Sequence, residues 1–203
     1  MIKNIILDLA GVVLNLNLER DTKALHDVGL PDYKDCQQCP EIIIPMSAYL
    51  SGLLPTEDFL KRIRPFCNPE ATDDEILWSM DAVLDDIPQS RLARIAELRK
   101  KYRVYLLSNI YEAAWNHTLL QMGKHGYEPN DCFDQLFLSY EIKLAKPDPL
   151  IFHHLFQETG LNPEDTVYFD DTEENVKVGS ELGLHTCFVP MNKLEDCLDQ
   201  WKL

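Results

Sequence analysis

Nowhere in this 203-residue chain do apolar residues run uninterrupted for the roughly 20 positions a bilayer-spanning helix needs. Basic residues are scarce as well: 19 Lys and Arg stand against 34 Asp and Glu, a formal charge of -15. A field of that sign repels nucleic acid and anionic membrane surfaces, so neither is expected as a partner. It is equally unhelpful to an anionic metabolite, which would need local compensation from a metal ion, a lysine or a helix N-terminus. Cys36 and Cys39 form a close pair, but no second pair at metal-binding spacing exists, and the six histidines lack HxH or HExxH spacing; no zinc signature results. The cysteines are expected to be reduced thiols of a cytoplasmic protein. The N-terminal segment has no small-residue cleavage site and carries Asp8 inside its apolar run, so it is expected to be retained as structure. Internal repeats and low-complexity linkers are also missing.

What is present is a regular alternation. Short apolar runs at 5–9 (IILDL), 104–108 (VYLLS), 135–139 (QLFLS), 166–170 (TVYFD) and 185–189 (HTCFV) suit strands buried on both faces. Helix signals lie between them. Ser90 precedes LARIAELRKK with its basic end; Asp148-Pro149 opens a segment closed by Gly160; Thr172 is placed to cap a helix that stops at Gly183. The expected fold is therefore α/β, a mostly parallel sheet covered by helices on both faces. The alternation breaks over 15–88, where helical patterns at 21–28, 56–63 and 72–84 occur without a convincing strand. This length suits one core, 1–14 and 89–203, with a helical insertion at 15–88. Met46, Tyr49, Phe59, Phe66 and Trp78 are expected to pack inside that insertion.

In an open parallel sheet, ligands bind beyond the carboxyl ends of the strands. Those ends carry Asp8, Ser108-Asn109 and Asp170-Asp171, and Lys146 precedes the helix that follows the third strand. Carboxylates at strand ends make a hard oxygen cage for Mg2+, a cation that favours carboxylates together with substrate phosphate oxygens. A carboxylate can also attack phosphorus, with Lys146, Ser108 and a backbone N–H near Asn109 stabilising the transferred group. Lys143 is expected to stay on the surface. Asp170 and Asp171 look superfluous for fold stability, because Thr172 already offers a cap.

Four segments, DLAGV at 8–12, LLSN at 106–109, KPDP at 146–149 and FDDTEENV at 169–176, resemble in order and spacing the motifs of the haloacid dehalogenase superfamily. The branch they resemble is that of small phosphatases with a helical cap after the first strand, and YLSGLLPTEDFLKRI at 49–63 looks like that cap. The resemblance implies a Rossmann-like doubly wound sheet of order 5-4-1-2-3 and a cofactor Mg2+. It implies Asp8 as nucleophile and metal ligand, Ser108 and Asn109 as phosphate cradle, and Lys146 as stabilising cation. Asp171 would be the direct metal ligand and Asp170 an outer or water-mediated one.

One position departs from the pattern. The aspartate that usually stands two residues after the nucleophile, as general acid/base, is here Ala10. Its backbone carbonyl could still bind the metal, but the lost assistance is on the order of 10²- to 10⁴-fold. The resemblance thus implies a phosphatase of a small phosphorylated metabolite, such as a sugar phosphate, with a preference for good leaving groups. Two alternatives stay open: a weakened enzyme that binds or senses a phosphometabolite, and a metal-free 2-haloacid dehalogenase.

Overall fold

A computed structural model describes all residues, Met1–Leu203. The first strand, β1 (Asn4–Leu7), leads into five helices: α1 (Leu18–Asp27), α2 (Tyr33–Cys36), α3 (Pro40–Leu50), α4 (Thr56–Ile63) and α5 (Asp73–Asp81). Alternation then sets in: α6 (Gln89–Arg99), β2 (Arg103–Ser108), α7 (Glu112–Lys124), α8 (Pro129–Cys132), β3 (Gln135–Leu138), α9 (Ser139–Ile142) and α10 (Pro149–Thr159). The chain ends with β4 (Thr166–Asp170), α11 (Glu173–Glu181), β5 (His185–Phe188) and α12 (Leu194–Gln200). The strands form one sheet of order β3-β2-β1-β4-β5, all parallel, the order expected from the motifs.

The two-residue period of the strands explains why both faces are covered. Ile5, Leu7, Val104, Leu106, Val167 and Phe169 join one apolar cluster of 38 buried residues, while Ile6, Tyr105, Leu107 and Tyr168 join another of nine with Ile151, Phe152 and Leu155 of α10. The larger cluster also takes in Leu25, Met46, Tyr49, Phe59 and Ile76 from the inserted helices. Insertion and sheet thus share one apolar interior.

The chain segments leading into and out of the insertion run side by side. Asn15 N–H donates to Asp86 O at 2.9 Å, Asp85 N–H to Asn15 O at 2.9 Å and Asn17 N–H to Val83 O at 2.8 Å, an antiparallel pairing that includes Leu16 and Leu84. Arg91 of α6, buried, locks this crossing. It donates to Val13 O at 3.1 Å, Asn15 Oδ1 at 2.8 Å and Asn192 O at 3.2 Å, and grips both Glu195 oxygens at 2.8 and 2.9 Å. Burial works against the Glu195 carboxylate, yet Arg91 holds its pKa below the usual range.

Some local expectations differ from the structure. Helix α6 starts after Pro88, so Ser90 lies inside its first turn and caps nothing. Thr172 stands at the N-cap of α11, but its hydroxyl makes no capping bond; Thr172 N–H instead donates to Asp170 Oδ1 at 2.8 Å. Asp148 does cap α10, accepting from Leu150 N–H, and Gly160 closes it at φ 64°. Met46, Tyr49 and Phe59 are buried as expected, whereas Phe66 and Trp78 are exposed. Aromaticity in an amphipathic segment does not say which face turns inward once neighbours are added. All six cysteines are unpaired.

Arg91→Met would leave three carbonyl-type acceptors without their donor and Glu195 without its partner. The expected loss is on the order of 3 kcal/mol, measured by urea unfolding; a loss under about 1 kcal/mol would show that the crossing holds without the guanidinium.

Candidate active site

Register brings the strand ends together. Leu7 pairs with Leu106 on one side and with Phe169 on the other, so Asp8 lies next to Asp170, with Ser108 one residue beyond its own neighbour in β2. Asp8 N–H still follows the ladder, donating to Phe169 O at 2.9 Å. Asp8, Ser108, Lys146 and Asp170 are all buried.

Lys146 joins the two acids. Its Nζ donates to Asp8 Oδ1 at 2.7 Å and to Asp170 Oδ2 at 2.7 Å. Burial alone would depress the ammonium pKa, but Asp170 and Asp8 outweigh it and hold it above the usual lysine value. The lysine is aimed by Asn109, whose amide closes a reciprocal pair on the Lys146 backbone: Lys146 N–H donates to Asn109 Oδ1 and Asn109 Nδ2 to Lys146 O, both at 2.8 Å. The Asn109 side chain is thereby engaged, leaving the Ser108 hydroxyl and the backbone to meet a ligand here.

Asp170 is saturated. Besides Lys146, it accepts from Tyr168 Oη, from Thr172 N–H at 2.8 Å and from Asn175 Nδ2 at 3.0 and 3.2 Å. It anchors the start of α11 as well as the lysine, which corrects the expectation that fold stability makes no use of it. Asp171, half-buried, differs: its carboxylate has one long contact from its neighbour Thr172, 3.4 Å, and lies over Gly11. A Cβ on Gly11 would fall 2.1 Å from Asp171 Oδ2, and the backbone there has φ +77°, a conformation that favours glycine.

One oxygen each of Asp8, Asp170 and Asp171 lie within 4.8 Å of one another. Burial pushes Asp8 up to about 7, with Lys146 opposing and Asp170 and Asp171 adding to the rise; burial and then Asp170 push Asp171 up to about 6. Three carboxylates against one ammonium leave a deficit of two positive charges. A divalent, oxygen-seeking cation fits that deficit and that donor set.

Above the acids, a cavity of about 380 Å³ opens beneath the inserted helices, with Asp8, Ala10, Ser108, Asn109, Lys146 and Asp171 on its floor, a size suited to a small metabolite. Lys143 is exposed and reaches Gly52 O at 3.4 Å, away from the acids. Residues not foreseen are Tyr168, Asn175 and Gly11. Strand alternation could have flagged Tyr168, two residues before Asp170 on the same face, and Asn175 sits in the first turn of a helix that begins beside Asp170.

Residues 2–183 match the family profile of haloacid dehalogenase-like hydrolases. The chain belongs to that family. It is 30% identical to D-ribitol-5-phosphate phosphatase of Bacteroides thetaiotaomicron over 95% of this chain and 93% of that one. A haloacid dehalogenase-family enzyme of the same bacterium, solved with magnesium and inorganic phosphate, superposes with a TM-score of 0.80 at 33% identity, covering 95% of this chain and 96% of that one. A predicted hydrolase of the family from Porphyromonas gingivalis gives 0.82 at 25%, covering 100% and 99%. The chain is thus a hydrolase of this family with phosphatase relatives.

Gly11→Ala is expected to force Asp171 from its place and to cost about 1–3 kcal/mol through backbone strain. Urea unfolding measures the cost; a variant as stable as the parent would mean that the loop yields freely.

Proposed function

We propose that this chain is a Mg2+-dependent phosphatase of small phosphate monoesters that works through an aspartyl phosphate at Asp8, with residues 15–88 as a cap over the core 1–14 and 89–203. The observation that carries the proposal is the buried Lys146 bridging Asp8 and Asp170 at the floor of the cavity. Similarity to a sugar-alcohol phosphate phosphatase and to an enzyme holding magnesium and phosphate supports it.

Lys146 engages Asp8 Oδ1, orienting the carboxylate so that the other oxygen can attack phosphorus. The Ser108 hydroxyl and the backbone N–H near Asn109 would donate to the phosphoryl oxygens, where charge builds in the transition state. The bond from phosphorus to the leaving oxygen breaks, and that oxygen departs with the electron pair. Water then attacks the phosphorus of the aspartyl phosphate, releasing orthophosphate and restoring the Asp8 carboxylate. Asp8, Asp171 and the Ala10 carbonyl would hold Mg2+, which supplies neutralisation of phosphoryl charge; Asp170, with both oxygens engaged, suits an outer role. With a methyl group at Ala10, the leaving oxygen takes its proton from solvent, so esters with acidic leaving groups are favoured.

A second reading, a phosphometabolite-binding protein with vestigial hydrolysis, draws on that same methyl group. Kinetics on a panel of phosphate esters with Mg2+ separates the two. Asp8→Asn is expected to lose at least about 10³-fold in kcat, and full turnover would end the nucleophile assignment. Ala10→Asp is expected to raise turnover of alkyl esters by about 10²- to 10⁴-fold and to change acyl or aryl phosphates far less. A parent inert on every ester, revived by Ala10→Asp alone, would favour the second reading.

A further inference from the structure

The cavity over Asp8 has two unlike halves. Its floor is polar, but the walls supplied by the inserted helices are mostly hydrocarbon, with Leu25, Met46, Leu50, Met80 and Leu84 among them, and the Ser79 hydroxyl there already donates to Ile76 O. Lys146 is the one basic residue on the whole lining, and it is already bonded to two carboxylates. The apolar half holds one charged side chain, Asp21 of α1, with Tyr33 near it. Burial and neighbouring Asp32 push Asp21 up to about 6, and no hydrogen bond or cation pulls it back. An acid in the first turn of α1 suits the helix dipole, but exposed Glu19 in the same turn already serves that need. The dipole does not explain a half-buried acid turned into an apolar cavity.

Three constraints on the leaving group follow. A second anionic group would find no cation and would face Asp21. A polyol would set a row of hydroxyls against leucine and methionine, their hydrogen bonds to water unreplaced. The missing acid at Ala10 favours a leaving oxygen of low pKa, as in a phenol. The unpaired carboxylate, in turn, matches a cationic donor, since charge-assisted hydrogen bonds are the strong ones.

Resting on the phosphatase reading above, we infer that the substrate is a phosphate ester of an apolar, phenol-like alcohol bearing an ammonium group, and that Asp21 is the specificity residue that receives it. Tyramine O-phosphate, its neutral isostere para-ethylphenyl phosphate and the anionic para-carboxyethylphenyl phosphate share a phenolic leaving oxygen, so differences among them report recognition and not bond cleavage. With the full chain and Mg2+, kcat/KM for the tyramine ester is expected to exceed that of the neutral ester by about tenfold or more. Asp21→Asn should bring the two level, and Asp21→Lys should reverse the order in favour of the carboxyethyl ester. Equal rates for the three esters in the parent, an undiminished amine preference in Asp21→Asn, or faster turnover of D-ribitol 5-phosphate than of tyramine phosphate would overturn the inference. Para-nitrophenyl phosphate separates the two layers: if the parent hydrolyses neither it nor any other ester, the phosphatase reading has failed. Calorimetry with benzylphosphonates, with and without a para-aminoethyl group, then reads recognition directly. An amine preference lost in Asp21→Asn supports the assignment, and equal binding overturns it.

Discussion

One buried ammonium makes the rest of the site affordable. Parallel pairing of β1 with β4 places Asp8 and Asp170 side by side, and two carboxylates buried together repel each other and lose their hydration. Lys146 bonds to both at 2.7 Å, and Asn109 fixes its backbone from the end of β2. Through Asp170 the same network reaches Tyr168, Thr172 and Asn175, and so the start of α11. Three strand ends, a loop and a helix therefore share one hydrogen-bond network, which removal of the lysine ammonium would leave with two uncompensated buried acids. Even with Lys146 in place, Asp8 is held up to about 7, the mark of a site arranged for negative charge to meet a cation.

The inserted helices are bound to this core in two ways. Apolar side chains from both merge into one cluster, and the two connecting segments pair with each other before Arg91 fastens them. Asn192 adds a further tie: its side-chain amide pairs with both backbone groups of Leu16, and its N–H donates to Gly11 O at 2.6 Å. The loop that carries Asp8, Ala10 and Gly11 is thus continuous with the crossing. The cavity walls and the polar groups of its floor are held by the same short stretch of chain.

Much of this was legible in the amino-acid order. The runs at 104–108 and 166–170 read as buried strands because β2 and β4 are buried on both faces, and the acids and lysine follow those strands at spacings that only one sheet order brings together. Local capping was less legible: Ser90 and Thr172 are good caps by residue type, but Pro88 stands at the N-cap of α6 without a side-chain bond, and at α11 it is Asp170 that accepts the Thr172 N–H. Capping depends on backbone dihedrals and on which acceptor is nearest, and Asp170 is nearest because a tertiary ion network holds it in place. Trp78 and Phe66 looked like core for a similar reason, since hydrophobicity sets a preference for burial and the packing of neighbours decides who receives it.

By itself, then, the chain's sequence determined the parallel sheet, the helical insertion and the set of groups at the strand ends. Those follow from two-residue and 3.6-residue periodicities and from local turn chemistry. Tertiary structure alone decided that Asp170 is saturated while Asp171 faces the cavity, that the Asn109 side chain serves Lys146, and that Asp21 stands unpaired among leucines and methionines. Each of these depends on partners far apart in the chain or contributed by another element, and only packing and register set such distances.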